Sequence, residues 1–286
     1  MNLKFNLYQL IFFFLTIVVS GQAQDGLHLR NINLPCIEKN FNVYVHLSVD
    51  STTRQPFLGT KDVDRLMEDV SEFFEPICAS FTACEINVIE NYTFHEVVDT
   101  QRLLELEILF GKPRRLNVYI LGTIPNASCG TSTYYGIHKE AGESIFLETA
   151  QCADGLAGQL AHHLGHYFGL TDTYHGNDIE LVDDPNCAVV SDSICDTPAD
   201  PFGIFLDIPG LYRDVLPDAV FLNERVTREF FVRNCEFILE HLDPVGEFYQ
   251  PQVGNIMSAY PCRCGFTNGQ FLKMVDNYNS ATNKPY

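Results

Sequence analysis

The stretch from 156 to 172 constrains this chain more than any other. Leu156, Leu160, Leu164 and Phe168 recur every four residues and make one apolar side of a helix. His162 and His166 are also four apart, so both imidazoles leave one face of that helix, one turn above the other. Gly169 comes three residues later, where a helix can end on a glycine in the left-handed conformation. The chain can then turn sharply and bring Asp172 back towards the two histidines. Two imidazoles and a carboxylate suit a tetrahedral zinc with bonds of about 2 Å and a fourth position for water. A histidine pair at this spacing is also an ordinary surface feature, so the glycine and the carboxylate carry the metal expectation.

Residues 1–23 read as a secretory signal peptide. Lys4 supplies the positive start, 10–19 is an apolar run, and Gly21, Gln22 and Ala23 offer small residues for cleavage after Ala23. No later stretch is apolar enough to span a bilayer, so a secreted chain, extracellular or periplasmic and without stable membrane association, is expected. The net charge is −19, or −20 after the cut, since Lys4 is the only charge before it. Such a surface repels phosphate backbones, which sets nucleic acid aside as a partner. All ten cysteines follow the leader: Cys36, Cys78, Cys84, Cys129, Cys152, Cys187, Cys195, Cys235, Cys262 and Cys264. An even count behind a signal peptide argues for disulfides over thiol chemistry. Cys262 and Cys264 are too close to pair with each other, so separate partners are expected. Ten cysteines allow on the order of a thousand pairings, which leaves the connectivity open.

Residues 41–47 alternate and are β-branched, as a strand requires. Thr60 can cap a helix whose stripe is Leu66, Val70, Phe73, Phe74 and Ile77. Strands are expected over 84–89, 116–121, 132–137 and 144–148, and a helix over 100–110. This alternation predicts a mixed α/β lobe up to the histidine helix. After Leu170 the texture turns rich in Asp, Pro and Gly, with one further helix over 226–242 and a closing helix over 268–278. The cleft is expected where the two textures meet, near Gly169.

At this point the sequence resembles a known family. The run from His162 to Asp172 looks like the metzincin zinc motif H-E-x-x-H-x-x-G-x-x-H, and most of all its pappalysin branch (peptidase family M43), which reads H-E-x-G-H-x-x-G-L-x-H-T. Leu164, Gly165, His166, Gly169, Leu170 and Thr173 fall in place. Cys195-Asp196-Thr197-Pro198 is similar to the D-T-P segment of that branch. Asn255-Ile256-Met257-Ser258 looks like its Met-turn, and Cys264-Gly265-Phe266-Thr267-Asn268-Gly269-Gln270 resembles its closing C-x-x-F-T-x-G-Q. The resemblance implies an α+β, two-lobed metzincin-type fold over 24–286. The upper lobe, about 24–170, would be a mixed twisted sheet with helices; the lower, about 171–286, would be irregular and disulfide-tied. Zinc would be held by His162, His166 and Asp172, with Gly169 as the turn and Met257 as the apolar floor. An edge strand near 132–136 would align a peptide or protein ligand in the cleft by strand addition.

Three positions depart from that pattern. His163 stands where the family has its general-base glutamate, and removing a positioned base costs roughly 10²–10⁴-fold in rate. Asp172 stands in place of a third histidine, a milder change, and His175 is a weaker candidate for the same role. Ala259 stands where the family places a tyrosine that steadies the tetrahedral intermediate, with Tyr260 one residue later. The resemblance therefore implies a secreted zinc-binding homologue with weak or no peptidase activity. The alternative is a working zinc endopeptidase that uses His163 as its base. Asp183, Asp184, Asp192 and Asp196 offer oxygens for a calcium ion, which relatives in that branch bind, although loop aspartates more often serve as caps and turns. His28, His46, His95, His138 and His241 are isolated and read as surface or satisfied core residues. Asn91 and Asn126 fit the N-glycosylation pattern. Ser144 lacks the second glycine of a nucleophile elbow. Nothing in the sequence speaks to oligomeric state.

Overall fold

The alternation of Phe41, Val43, Val45 and Leu47 puts four apolar side chains on one face of strand β1 (Lys39–Ser48), and all four are buried. The structure, a computed structural model, describes residues 34–113, 115–124, 130–132, 143–149, 155–174, 180–183, 186–202, 232–260 and 262–281. The leader, His28, Asn126, Cys129, His138, Cys152, His175 and Asp184 lie outside the described residues. Helix α1 (Thr60–Phe74) crosses the β1 face and buries Val63, Leu66, Met67, Val70 and Phe74. Its cap is Gly59, not Thr60: the Gly59 amide donates to Asp62 Oδ2 at 3.0 Å, which makes Thr60 the first helical residue. Ile77 leaves the expected stripe for a short 3-10 turn (Glu75–Ile77), because Pro76 has no amide to continue the α-helical ladder.

Strand β2 (Ala79–Ile89) pairs parallel with β1 and begins five residues before the expected 84. The register slips opposite Val43 and Tyr44, where Cys84 is the extra residue; its Sγ donates to the Val43 carbonyl at 3.3 Å. Helix α2 (Thr100–Phe110) starts on Asp99, whose Oδ1 accepts from the Arg102 amide at 3.0 Å. Strand β3 (Leu116–Leu121) is buried along its whole length, as an apolar run inside a parallel sheet should be. Strands β4 (Gly130–Ser132) and β5 (Glu143–Glu148) complete a sheet of order β2-β1-β3-β5-β4. All its pairings are parallel except β4 with β5, and β4 is an edge. Of the strand expected over 132–137 only Ser132 is described, and it belongs to β4; 133–142 lie outside the described residues.

The mixed sheet with crossing helices that the sequence predicts is present. Helices α1, α3 (Gly155–Tyr167) and α4 (Asn268–Ser280) pack on one face of it, around Phe41, Phe74, Phe168 and Phe266. The other face holds a second core of Phe94, Leu103, Leu106, Tyr119 and Phe146, to which α2 contributes. His46 is fully buried, stacked on Tyr119 at 4.4 Å and in hydrogen-bond contact with Asn117 and Asn87.

The helix expected over 226–242 is not formed where that range is described. Val232–Arg233 (β6) and Glu236–Phe237 (β7) make a hairpin instead, turning on Asn234 and Cys235, both left-handed at φ 52° and 60°. The Cys235–Cys262 disulfide holds that turn, a long-range tie that local periodicity could not reveal. Cys36–Cys78 and Cys187–Cys195 are also bonded, and three disulfides fit an oxidising compartment. Full pairing does not hold, however: Cys84 and Cys264 are free thiols, so only Cys262 of the close pair has a disulfide partner. Among the described residues no helix is long and apolar enough to cross a membrane.

Candidate metal centre

Helix α3 ends in a two-bond glycine turn. The Leu170 amide donates to the Gly165 carbonyl at 2.9 Å and the Gly169 amide to His166 at 2.8 Å, with Gly169 at φ +86°. That turn carries the Leu170 carbonyl back to the helix, where His166 Nδ1 lies 2.9 Å from it. His162 Nδ1 is likewise 2.9 Å from the Ile256 carbonyl. A carbonyl oxygen only accepts, so the contact puts the His166 proton on Nδ1, whereas His162 Nδ1 faces both that acceptor and a donor, Arg263 Nη1, at 3.2 Å. The two Nε2 atoms face one another at 3.1 Å, and Asp172 Oδ1 lies 3.4 Å from one and 3.5 Å from the other.

Three donor atoms on a tetrahedral metal with bonds of about 2 Å stand about 3.3 Å apart. The triangle of His162, His166 and Asp172 has edges of 3.1, 3.4 and 3.5 Å, so the residues present fit a zinc ion. A looser set can also be drawn, since one nitrogen each of His162, His163 and His166 falls within 4.8 Å of the others. The tighter triangle is the better ligand set as it stands, because only its edges match direct coordination. Burial first, then the Arg263 guanidinium, hold the His162 pKa well below its ordinary value, which favours the neutral ring that a metal requires.

Below the helix, Met257 is fully buried. A Cβ on Gly165 would come 2.4 Å from its sulfur, so the glycine is what lets the methionine pack against this helix. The Met257 amide donates to Asn255 Oδ1 at 2.8 Å, and Asn255 and Gln270 exchange two amide bonds at 3.1 Å. Gln270 also completes the N-terminal cap of α4 by accepting from the Thr267 amide at 3.0 Å. The Thr173 amide donates to the Met257 carbonyl at 3.1 Å, which ties the segment bearing Asp172 to the same turn.

His163 is 6% exposed, and neither of its ring nitrogens has a hydrogen-bond partner among the described residues. Burial, followed by the nearby His166 and Arg263, holds it well below the ordinary histidine pKa. Tyr260 is fully buried and donates to Asp200 Oδ1 at 2.9 Å. Asp200 also accepts from Thr173 Oγ1 at 2.7 Å, and burial raises its pKa. Sequence reasoning missed Arg263, which lies over Gly158 and donates to the Ile256 carbonyl beside His162. A lone arginine between two cysteines carried no signal of that role.

Two of the aspartates considered for calcium, Asp192 and Asp196, are engaged in hydrogen bonds. Asp196 caps α4, accepting from Thr267 Oγ1 and the Gly269 amide at 2.7 Å each. Asp192 accepts from the Ile194 amide at 2.9 Å and from Thr197 Oγ1. Burial pushes Asp192 up from 3.8 to about 6. An acid raised on folding binds extra protons in the native state between these values, so stability falls as pH rises through that window. The loss is about 3 kcal/mol for a shift of this size. Urea unfolding of the native chain and Asp192→Asn from pH 4 to 7 should show the variant gaining on the native chain by about that amount. A gap independent of pH would show that Asp192 does not titrate there.

No family model matches the chain, and no curated protein sequence matches it. Among solved structures, one reported as the structure of a chaperone–substrate complex is 11% identical with a TM-score of 0.31, covering 49% of this chain and 25% of that one. Metalloproteinase-II from Bacteroides fragilis is 9% identical with a TM-score of 0.34, covering 50% of this chain and 46% of that one. The chain thus spans less than half the length of either, and likenesses this distant carry no weight for fold or chemistry.

Proposed function

We propose that this chain is a secreted, zinc-binding homologue of the pappalysin-type metallopeptidases with weak or no peptidase activity. In this reading 1–23 is the cleaved leader, and an upper lobe to about 170 and a lower lobe from about 171 share a cleft. His162, His166 and Asp172 hold the metal. A peptide or protein ligand lies along β4, the last strand of the sheet among the described residues. The observation that carries the reading is the triangle of donors with a backbone carbonyl 2.9 Å behind each histidine Nδ1, a contact that orients metal-binding imidazoles. Loss of peptidase chemistry follows from His163 at the base position, with its basicity depressed, and from Ala259 where a tyrosine would steady an oxyanion.

The test is zinc content measured beside proteolysis of an unfolded protein substrate, for the native chain and His163→Glu. About one zinc per native chain, with little cleavage until His163→Glu restores it steeply, is the expected result. Zinc below about 0.2 per chain rejects the site. Chelator-sensitive native cleavage that falls in His163→Glu would instead establish a working endopeptidase.

A further inference from the structure

The histidine at 163 is more than a missing glutamate. An imidazole is itself among the commonest metal ligands, and this one is buried beside the site with nothing to hold it. His162 and His166 are each oriented by a bond from Nδ1 to a carbonyl, whereas the His163 ring has no such tether among the described residues. Leaving a buried polar group unsatisfied is costly, so the ring gains by finding a partner. One of its nitrogens already lies within 4.8 Å of nitrogens on both His162 and His166. Its ring stands edge-on to His162 at 5.2 Å. Direct coordination needs donor separations of about 3.3 Å, so the ring must move inward on binding, by rotation about its side-chain torsions.

We propose that His163 is the fourth protein ligand, closing the site as His162, His163, His166 and Asp172. The inference rests on the metal reading above and deepens it. A neutral imidazole enters the coordination shell and a water leaves, so no charge moves. Four protein ligands define a structural site, while catalytic sites keep a position open for water. The metal would then tie α3 to the segment after Gly169 and have no water to activate.

The experiment is cobalt(II) substitution followed by azide titration, read in the visible absorption of the cobalt. A closed site should show a tetrahedral spectrum that azide leaves unchanged. His163→Ala and His163→Glu should both turn azide-responsive, and His163→Ala should bind zinc at least about tenfold more weakly. If azide shifts the native spectrum saturably and His163→Ala binds zinc as tightly as the native chain, His163 is outside the shell and the inference fails while the metal site stands. If neither cobalt nor zinc binds, or His162→Ala changes neither affinity nor spectrum, the metal reading itself fails. The native azide titration needs no variant, so a misfolded substitution cannot shield the proposal.

Discussion

Excess zinc is expected to raise the unfolding midpoint of the metal-stripped chain by about 8–16 °C, and His166→Ala should abolish that rise. A ligand at about a thousand times its dissociation constant stabilises the native state by about 4 kcal/mol, and about 2–4 °C per kcal/mol applies to a chain of this size. His166 is the residue to remove because it joins both halves of the argument. It is almost fully buried, its Nε2 sits in the donor triangle, and its Nδ1 is bound to the carbonyl that the glycine turn delivers. The substitution will lower the zinc-free midpoint as well, since it opens a gap and leaves the Leu170 carbonyl without that bond. The informative quantity is therefore the shift on adding zinc, measured by thermal scans with and without metal. His95→Ala serves as the control, because that ring contacts Ser48 and Asp50 and not the metal donors. A rise that survives in His166→Ala would mean zinc binds elsewhere, and no rise in the native chain would mean there is no site.

The ligands were legible in the sequence because their geometry is local. An i, i+4 pair on a helix followed by a glycine turn needs no knowledge of the rest of the chain, and Asp172 is only six residues from His166. What orients the ligands was not legible. The carbonyl that holds His162 belongs to Ile256, 94 residues away, and the arginine beside it comes from between two cysteines. The elements divide in the same way. Helix α2 and strand β3 appear over the residues expected of them, since one carries a strong capping aspartate just before it and the other is a continuous apolar run. In the described part of the range 226–242 a hairpin stands where a helix was expected, because a disulfide and two left-handed residues outweigh periodicity. Cys84 reads as one more disulfide partner in sequence and is a bulge residue in the sheet, bonded to a backbone carbonyl. Tyr260, one residue past the expected place, was drawn to a buried aspartate 60 residues upstream.

Gly169→Ala should lower stability by about 2–3 kcal/mol and weaken zinc about 10- to 100-fold. Two costs combine in the stability figure. Gly169 sits at φ +86°, where a side chain with a Cβ is strained by about 1–2 kcal/mol. That Cβ would also stand 2.4 Å from Asn277 Nδ2, which donates to the Phe168 carbonyl at 2.9 Å, so a bond worth about 1 kcal/mol is displaced. The metal effect has a separate origin. The same turn sets the Leu170 carbonyl against His166 and starts the return of Asp172, so relaxing it moves one ligand's support and another ligand outright. Asn277→Ala separates the two. It removes the cap bond and keeps the glycine, so it should cost about 1 kcal/mol and leave zinc affinity unchanged. Denaturant unfolding and competitive zinc titration on the native chain and both variants measure everything required. If Gly169→Ala loses stability while binding zinc as the native chain does, the turn serves the fold alone, and Asp172 reaches the histidines by some other constraint.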